Sequence, residues 1–230
     1  MQMNLTIPFP DRVHAGRALA ERLASEGPWD DALVLALPRG GVPVAYEAAS
    51  RLGLELDVLL VRKLGLPGHA ELAMGAIASG AVRVMNEDIV HYAHVTTATV
   101  DAVAERELQE LQRRERVYRG ERPPPSVRGR PVILIDDGLA TGATMRAAIE
   151  AAKLLGAAQV IVAVPVGALD TVERLRRQAD RVICLFSPQD LVAIGYWYQD
   201  FGQTSDREVQ ELLRQAWSAN RTNNDGERQA

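Results

Sequence analysis

The sequence predicts an α/β fold: an open, mainly parallel sheet with helices on both faces. Three observations carry that reading. Five short apolar runs (32–37, 56–61, 132–135, 160–165 and 182–186) are rich in Val, Ile and Leu. They do not alternate with polar residues, as expected of strands covered on both faces. Helical periodicity lies between most of them, which is the pattern of βαβ units. The 47% hydrophobic and 24% charged composition over 230 residues is that of an ordinary globular chain. A chain this long buries roughly 70% of its unfolded surface without disulfides or structural metal.

Along the chain, the first helix covers 11–24, with Val13, Leu19 and Leu23 on one face. The strand 32–37 follows and runs into Leu37-Pro38-Arg39-Gly40-Gly41. Gly40 and Gly41 can expose backbone N–H groups there, and Arg39 adds a fork of donors. A helix over 42–52, closed by Gly53, points its N-terminal dipole at the same turn. The strand 56–61 continues to Gly65, placing Arg62 and Lys63 at its carboxyl end. In a parallel sheet that end shares a crevice with Arg39. Lys63 is one of two lysines beside 24 arginines, a compositional hint of a required ammonium. Residues 66–75, with Pro67, Gly68, His69 and Glu71, read as a loop returning toward a strand at 82–85. His91 and His94 have no third ligand nearby, so zinc is not expected.

A charged helix spans 97–119 with a thin apolar stripe of Val103, Leu108, Leu111 and Val117, and reads as a solvated helix packed on one side. A Pro-rich basic connector, 121–131, leads to the strand 132–135. After helices over 144–155 and 169–179 comes the strand 182–186, where the single cysteine, Cys184, reads as a small buried hydrophobe. Residues 187–206 gather Tyr196, Trp197, Tyr198 and Phe201, aromatic faces suited to a planar base or to covering a sheet edge. The polar tail 218–230 is expected to be disordered, leaving one domain over 1–217. The net charge of −4 argues against generic nucleic-acid binding. No apolar run reaches membrane-helix length and the N-terminus lacks a leader pattern, so cytoplasmic residence is the expectation.

The sharpest signal is the strand–turn–helix PVILIDDGLATGATMRAA, 131–148. Gly138, Ala140, Gly142 and Ala143 let backbone N–H groups approach an anion, and Thr141 and Thr144 add hydroxyls. A helix N-terminus points at the same place. Asp136 and Asp137 would repel a phosphate. They suit the hydroxyls of an attached sugar, or a hydrated Mg²⁺. The pattern therefore asks for a sugar phosphate. It is neither a Walker A loop nor a GxGxxG turn.

IDDGLATGAT resembles the 5-phosphoribosyl-1-pyrophosphate (PRPP) motif of the type I phosphoribosyltransferases. It is most similar to the adenine-type version, which has Ala, here Ala140, where 6-oxopurine enzymes carry an Asp base. The span 11–217 as a whole resembles a phosphoribosyltransferase-like group whose acceptor the sequence does not name. The resemblance implies that Asp136 and Asp137 bind ribose hydroxyls, and Mg²⁺ through water, while Gly138 and Ala140 to Thr144 cradle the 5-phosphate. It assigns pyrophosphate to Arg39, Gly40, Gly41, Arg62 and Lys63, and makes 66–75 a mobile flap with Glu71 near the reacting bond. The segment 187–206 becomes a hood whose Tyr196, Trp197 and Tyr198 meet the acceptor. The expected partners are PRPP and a small-molecule acceptor, not a membrane or a nucleic acid, with a homodimer left open. The expected activity is transfer of the 5-phosphoribosyl group to a nitrogenous acceptor. Lys63, Arg39 and Glu71 are the catalytic candidates. The rival readings are a non-catalytic PRPP or nucleotide sensor, and a hydrolase or phosphorylase using the same cradle.

Overall fold

The computed structural model describes the backbone of residues 7–227, and the side chains among them except those of residues 70, 71 and 220–227. In chain order come α1 (Arg12–Ser25), β1 (Leu33–Ala36), α2 (Gly41–Leu52), β2 (Glu55–Val58), β3 (Val61–Leu66), β4 (His69–Ala78) and β5 (Val82–Met85). They are followed by α3 (Glu87–Tyr92), α4 (Thr97–Arg119), β6 (Pro131–Ile135), α5 (Ala143–Leu154), β7 (Gln159–Val166), α6 (Leu169–Leu175), β8 (Arg181–Phe186) and α7 (Asp206–Glu227). Caps fix several of these ends. Asp11 accepts from the His14 N–H to start α1, Thr96 accepts from Thr99 to start α4, and left-handed Gly53 closes α2.

The main sheet is parallel, in the order β2–β1–β6–β7–β8. Successive strand residues feed opposite faces. Val34, Ala36, Ile133 and Ile135 pack with Leu19, Val44 and Leu213 on one side. Leu33, Leu35, Val132 and Leu134 pack with Met145, Ile149 and Val172 on the other. Both faces are thus covered, which is why the runs do not alternate.

The apolar run 56–61 divides between two sheets. β2 ends at Val58, and at Leu60 the pairing partner changes: Leu60 donates to Ser79 Oγ at 3.0 Å while its carbonyl accepts from the Ser79 N–H at 2.9 Å. The chain then enters a separate antiparallel ribbon, β3–β4–β5. Residues 66–75, expected as a loop, form the turn and second strand of that ribbon. Pro67-Gly68 makes the turn, with Gly68 at φ 79°, the conformation a type II turn requires of its third residue.

The tail expected to be disordered from Ser218 continues α7 to Glu227, and 228–230 lie outside the described residues. Val209, Leu213, Ala216 and Trp217 are buried, and Trp217 Nε1 donates to the Leu56 carbonyl at 2.9 Å. From that anchored start each further helical residue requires only propagation.

Candidate active site

β1 pairs with β2 on one side and β6 on the other, so the strand order reverses there. In such sheets the ligand crevice opens beyond the carboxyl ends of the two strands at the reversal. Both turns singled out in the sequence meet at that point. A Cβ added to Gly41 would come within 2.7 Å of the Ile135 carbonyl, and one added to Gly40 would overlap the Asp137 carboxylate. Glycine is what lets the 39–41 turn lie against the acidic pair.

Asp136 and Asp137 are held by different contacts. The Asp137 N–H donates to Asp136 Oδ1 at 2.9 Å. Burial, with the Asp137 charge beside it, pushes the Asp136 carboxyl well above the usual carboxylate range. Asp137 Oδ2 accepts from Arg12 Nε at 2.8 Å, and its backbone carbonyl accepts from the Tyr198 hydroxyl at 2.7 Å. Burial also drives the Tyr198 hydroxyl upward, so it stays a donor. Among the described residues no group of three His, Cys, Asp or Glu could hold a metal. Two carboxylates without a third fit a hard cation that keeps most of its water and is held indirectly, as Mg²⁺ is.

The turn beyond them is fixed from behind. Leu139 donates to the Val166 carbonyl at 2.9 Å, and Thr171 Oγ1 donates to the Ala140 carbonyl at 2.8 Å. Gly142 has φ 71° and lies against Thr171, where a Cβ would come within 2.5 Å of the Thr171 methyl. The backbone N–H groups of Ala140, Thr141, Gly142 and Thr144 donate to no acceptor among the described residues. Ala140, Thr141, Ala143 and Thr144 are exposed, and α5 begins at Ala143. Free N–H groups at a helix start are suited to an anion.

The predicted cations part company. Arg39 stays beside the crevice, with Nη1 3.8 Å from Asp206 Oδ1 at the start of α7. Arg62 and Lys63 lie in β3, not at the end of a parallel strand, and neighbours on a strand face opposite ways. Arg62 turns to α4, where Nη2 lies 2.6 Å from Glu107. Lys63 is exposed and lines a cavity of about 570 Å³ between the ribbon and α5, which Thr144, Arg146, Glu150 and Asp88 also line. Arg39, Asp136 and Asp137 are not in that lining. Glu71 has its backbone in β4, and its side chain lies outside the described residues. Exposed His69 begins the same strand.

The three aromatic acceptor candidates also separate. Tyr198 is buried and stacks on Phe201 with centroids 5.0 Å apart, so its ring is committed to packing. Trp197 stacks on Phe186 at 5.9 Å. Tyr196 is 75% exposed and has a face open to a ligand. Cys184 is half-buried, and its thiol donates to the Phe186 carbonyl at 3.1 Å. Burial raises its pKa, as expected of an inert packing residue.

Sequence reasoning missed Arg12 and the strand-like segment before it. Phe9 donates to the Trp197 carbonyl and accepts from Gln199, both at 2.8 Å, so the N-terminal segment is part of the hood. The motif Pro-Phe-Pro-Asp-Arg was visible, but its partners lie nearly two hundred residues away.

A family model described as "Phosphoribosyl transferase domain" matches residues 9–200. Two curated proteins of Mycobacterium tuberculosis are each 49% identical to this chain over 208 residues. They are "Putative phosphoribosyl transferase MT0597" (strain CDC 1551 / Oshkosh) and "Putative phosphoribosyl transferase Rv0571c" (strain ATCC 25618 / H37Rv). The matched span is 90% of this chain and 47% of each of them, so the chain spans about half the length of the curated relatives it matches. Among solved structures, that of TT1426 from Thermus thermophilus is 45% identical with a TM-score of 0.82. The match covers 90% of this chain and 98% of that one.

Proposed function

This chain belongs to the phosphoribosyl transferase domain family, and on that premise we propose that it transfers the 5-phosphoribosyl group of PRPP to a nitrogenous acceptor. One observation carries the proposal. At the strand-order reversal the 39–41 turn lies on Asp137, and a cradle of free N–H groups follows within seven residues. That spacing matches pyrophosphate, ribose and 5-phosphate in series.

In the proposed reaction the acceptor nitrogen attacks C1 of PRPP as the bond from C1 to the pyrophosphate oxygen breaks, with inversion. The N–H groups of 140–144 hold the 5-phosphate. Asp136 and Asp137 accept the ribose hydroxyls and tolerate positive charge on the sugar ring. Arg39 and the N–H groups of Gly40 and Gly41 hold the departing pyrophosphate. Mg²⁺ supplies charge neutralisation of the leaving group when bound, and Asp136 and Asp137 are the residues to hold it through water. In this reading the segment 66–75 is the flap that excludes water, and the ribbon moves to bring Lys63 to the pyrophosphate.

A second reading, a PRPP sensor without chemistry, is favoured by the placement of the cations. Arg62 is engaged with Glu107, and Lys63 faces the ribbon cavity. Pyrophosphate release from PRPP and Mg²⁺ across a panel of bases and amines separates the two. Under the enzyme reading at least one acceptor releases pyrophosphate, and Lys63→Ala lowers turnover roughly a hundredfold with a smaller loss of PRPP affinity. PRPP binding with no release from any acceptor leaves the sensor.

A further inference from the structure

Arg12, the first residue of α1, has no part in the sequence motif, yet it touches both halves of the site. Its Nε donates to Asp137 Oδ2 at 2.8 Å, and its Nη1 donates to the Gly202 carbonyl at 2.7 Å. Its guanidinium lies 4.0 Å from the Phe201 ring centroid and 5.9 Å from that of Tyr198. The Arg12 and Asp137 side chains are 12% and 16% exposed, so the pair is largely shielded from water. A planar fork with donors in fixed directions can join three partners rigidly, as a lysine ammonium cannot. Among the described residues no N–H group donates to Asp137 Oδ1; the other group bonded to this carboxylate is the Asp136 carboxyl, which a ligand hydroxyl would displace or share.

We infer that Arg12 is a positioning residue that couples the hood to the ribose-side acid. It rests on the reading of Asp137 as a ribose-binding carboxylate. A ligand held at Oδ1 fixes the carboxylate, and Arg12 on Oδ2 carries that constraint to Gly202, Phe201 and Tyr198. By linkage, a seated hood in turn favours ligand at Asp137. Filling the sugar-phosphate site would thereby order the hood.

The test is hydrogen exchange of the hood amides Tyr198, Gln199 and Asp200, which donate to Gly195, Phe9 and Pro10. Exchange in β7 serves as the control for an intact fold. In the unliganded protein Asp137→Ala is expected to speed hood exchange about tenfold. In an Arg12→Gln background the same change is expected to add less than about twofold, since the connection is already cut. Arg12→Lys keeps the charge and is expected to behave like Arg12→Gln in this readout. Hood exchange unchanged by Asp137→Ala, or accelerated as much in the Arg12→Gln background, would overturn the inference. With PRPP and Mg²⁺ added, hood exchange slows in the wild type and not in Arg12→Gln, while both proteins melt higher. A wild type that fails to bind PRPP removes the ribose reading and leaves the unliganded comparison to decide the coupling.

Discussion

Arg119–Asp57 and Arg12–Asp137 share the same 2.8 Å contact between Nε and a carboxylate oxygen, and differ in what surrounds it. Arg119 and Asp57 are 5% and 1% exposed. Each terminal nitrogen of Arg119 also makes a contact, Nη2 donating to the Val58 carbonyl at 2.6 Å and Nη1 to Glu115 at 3.0 Å. Burial still raises the Asp57 carboxyl against the pull of Arg119, and its Oδ2 has no partner. That pair locks the end of α4 onto β2 and has no open face. Asp137 sits beside the crevice, and its arginine reaches on to the hood. Contact distance and a carboxylate oxygen without an N–H partner are therefore common to both pairs. What differs is that the Asp57 oxygen is sealed in the core while Asp137 adjoins the crevice, and that Arg12 connects beyond its pair to the hood.

The largest effect expected from this contrast is at the closed pair. Arg119→Ala strands a buried carboxylate and should cost about 3–5 kcal/mol, read as a fall in urea midpoint at unchanged slope. A loss as small as that of an exposed ion pair would erase the distinction. At the open pair, Asp137→Asn should weaken PRPP by at least tenfold, about 1.4 kcal/mol, in titration calorimetry, with a smaller loss of stability. An Asp137→Asn protein that unfolds would place this pair with the closed one.

The smallest effect sharpens the contrast inside the acidic pair, and its sign is set by pH. The fold holds the Asp136 carboxyl above its ordinary value, so the folded chain binds that proton more tightly than the unfolded chain. The resulting stability is present below the unfolded value near 4 and is lost as pH rises through the folded value. Asp136→Asn should therefore stabilise the unliganded protein at neutral pH and lose that advantage in acid. Thermal melts from pH 3 to 8 read it directly. An advantage independent of pH would mean that ionisation of Asp136 plays no part.

The readable and unreadable parts of the molecule divide by the reach of their interactions. The parallel strands and the turn 136–144 were legible because each is contiguous and its chemistry local, an apolar run leading into two acids and a small-residue turn. The transfer from β2 to the ribbon was not, because hydropathy does not change at Leu60 when the hydrogen-bond partner does. That hidden break is what sent Arg62 to α4. Tyr198 read as an acceptor contact because composition marks an aromatic ring but not the core it enters beside Phe9. Arg12 was invisible for the same reason: its hydrogen bonds span 125 and 190 residues, and locally it only opens a helix.

The proposed function requires the crevice at the strand reversal to bind PRPP through Asp136 and Asp137. Calorimetric titration of PRPP with Mg²⁺ into the wild type and into the Asp136→Asn, Asp137→Asn double variant tests it most directly. The prediction is saturable binding to the wild type, and at least tenfold weaker binding to a variant that still melts cooperatively. No heat from the wild type at millimolar PRPP, or equal affinity in both proteins, would contradict it.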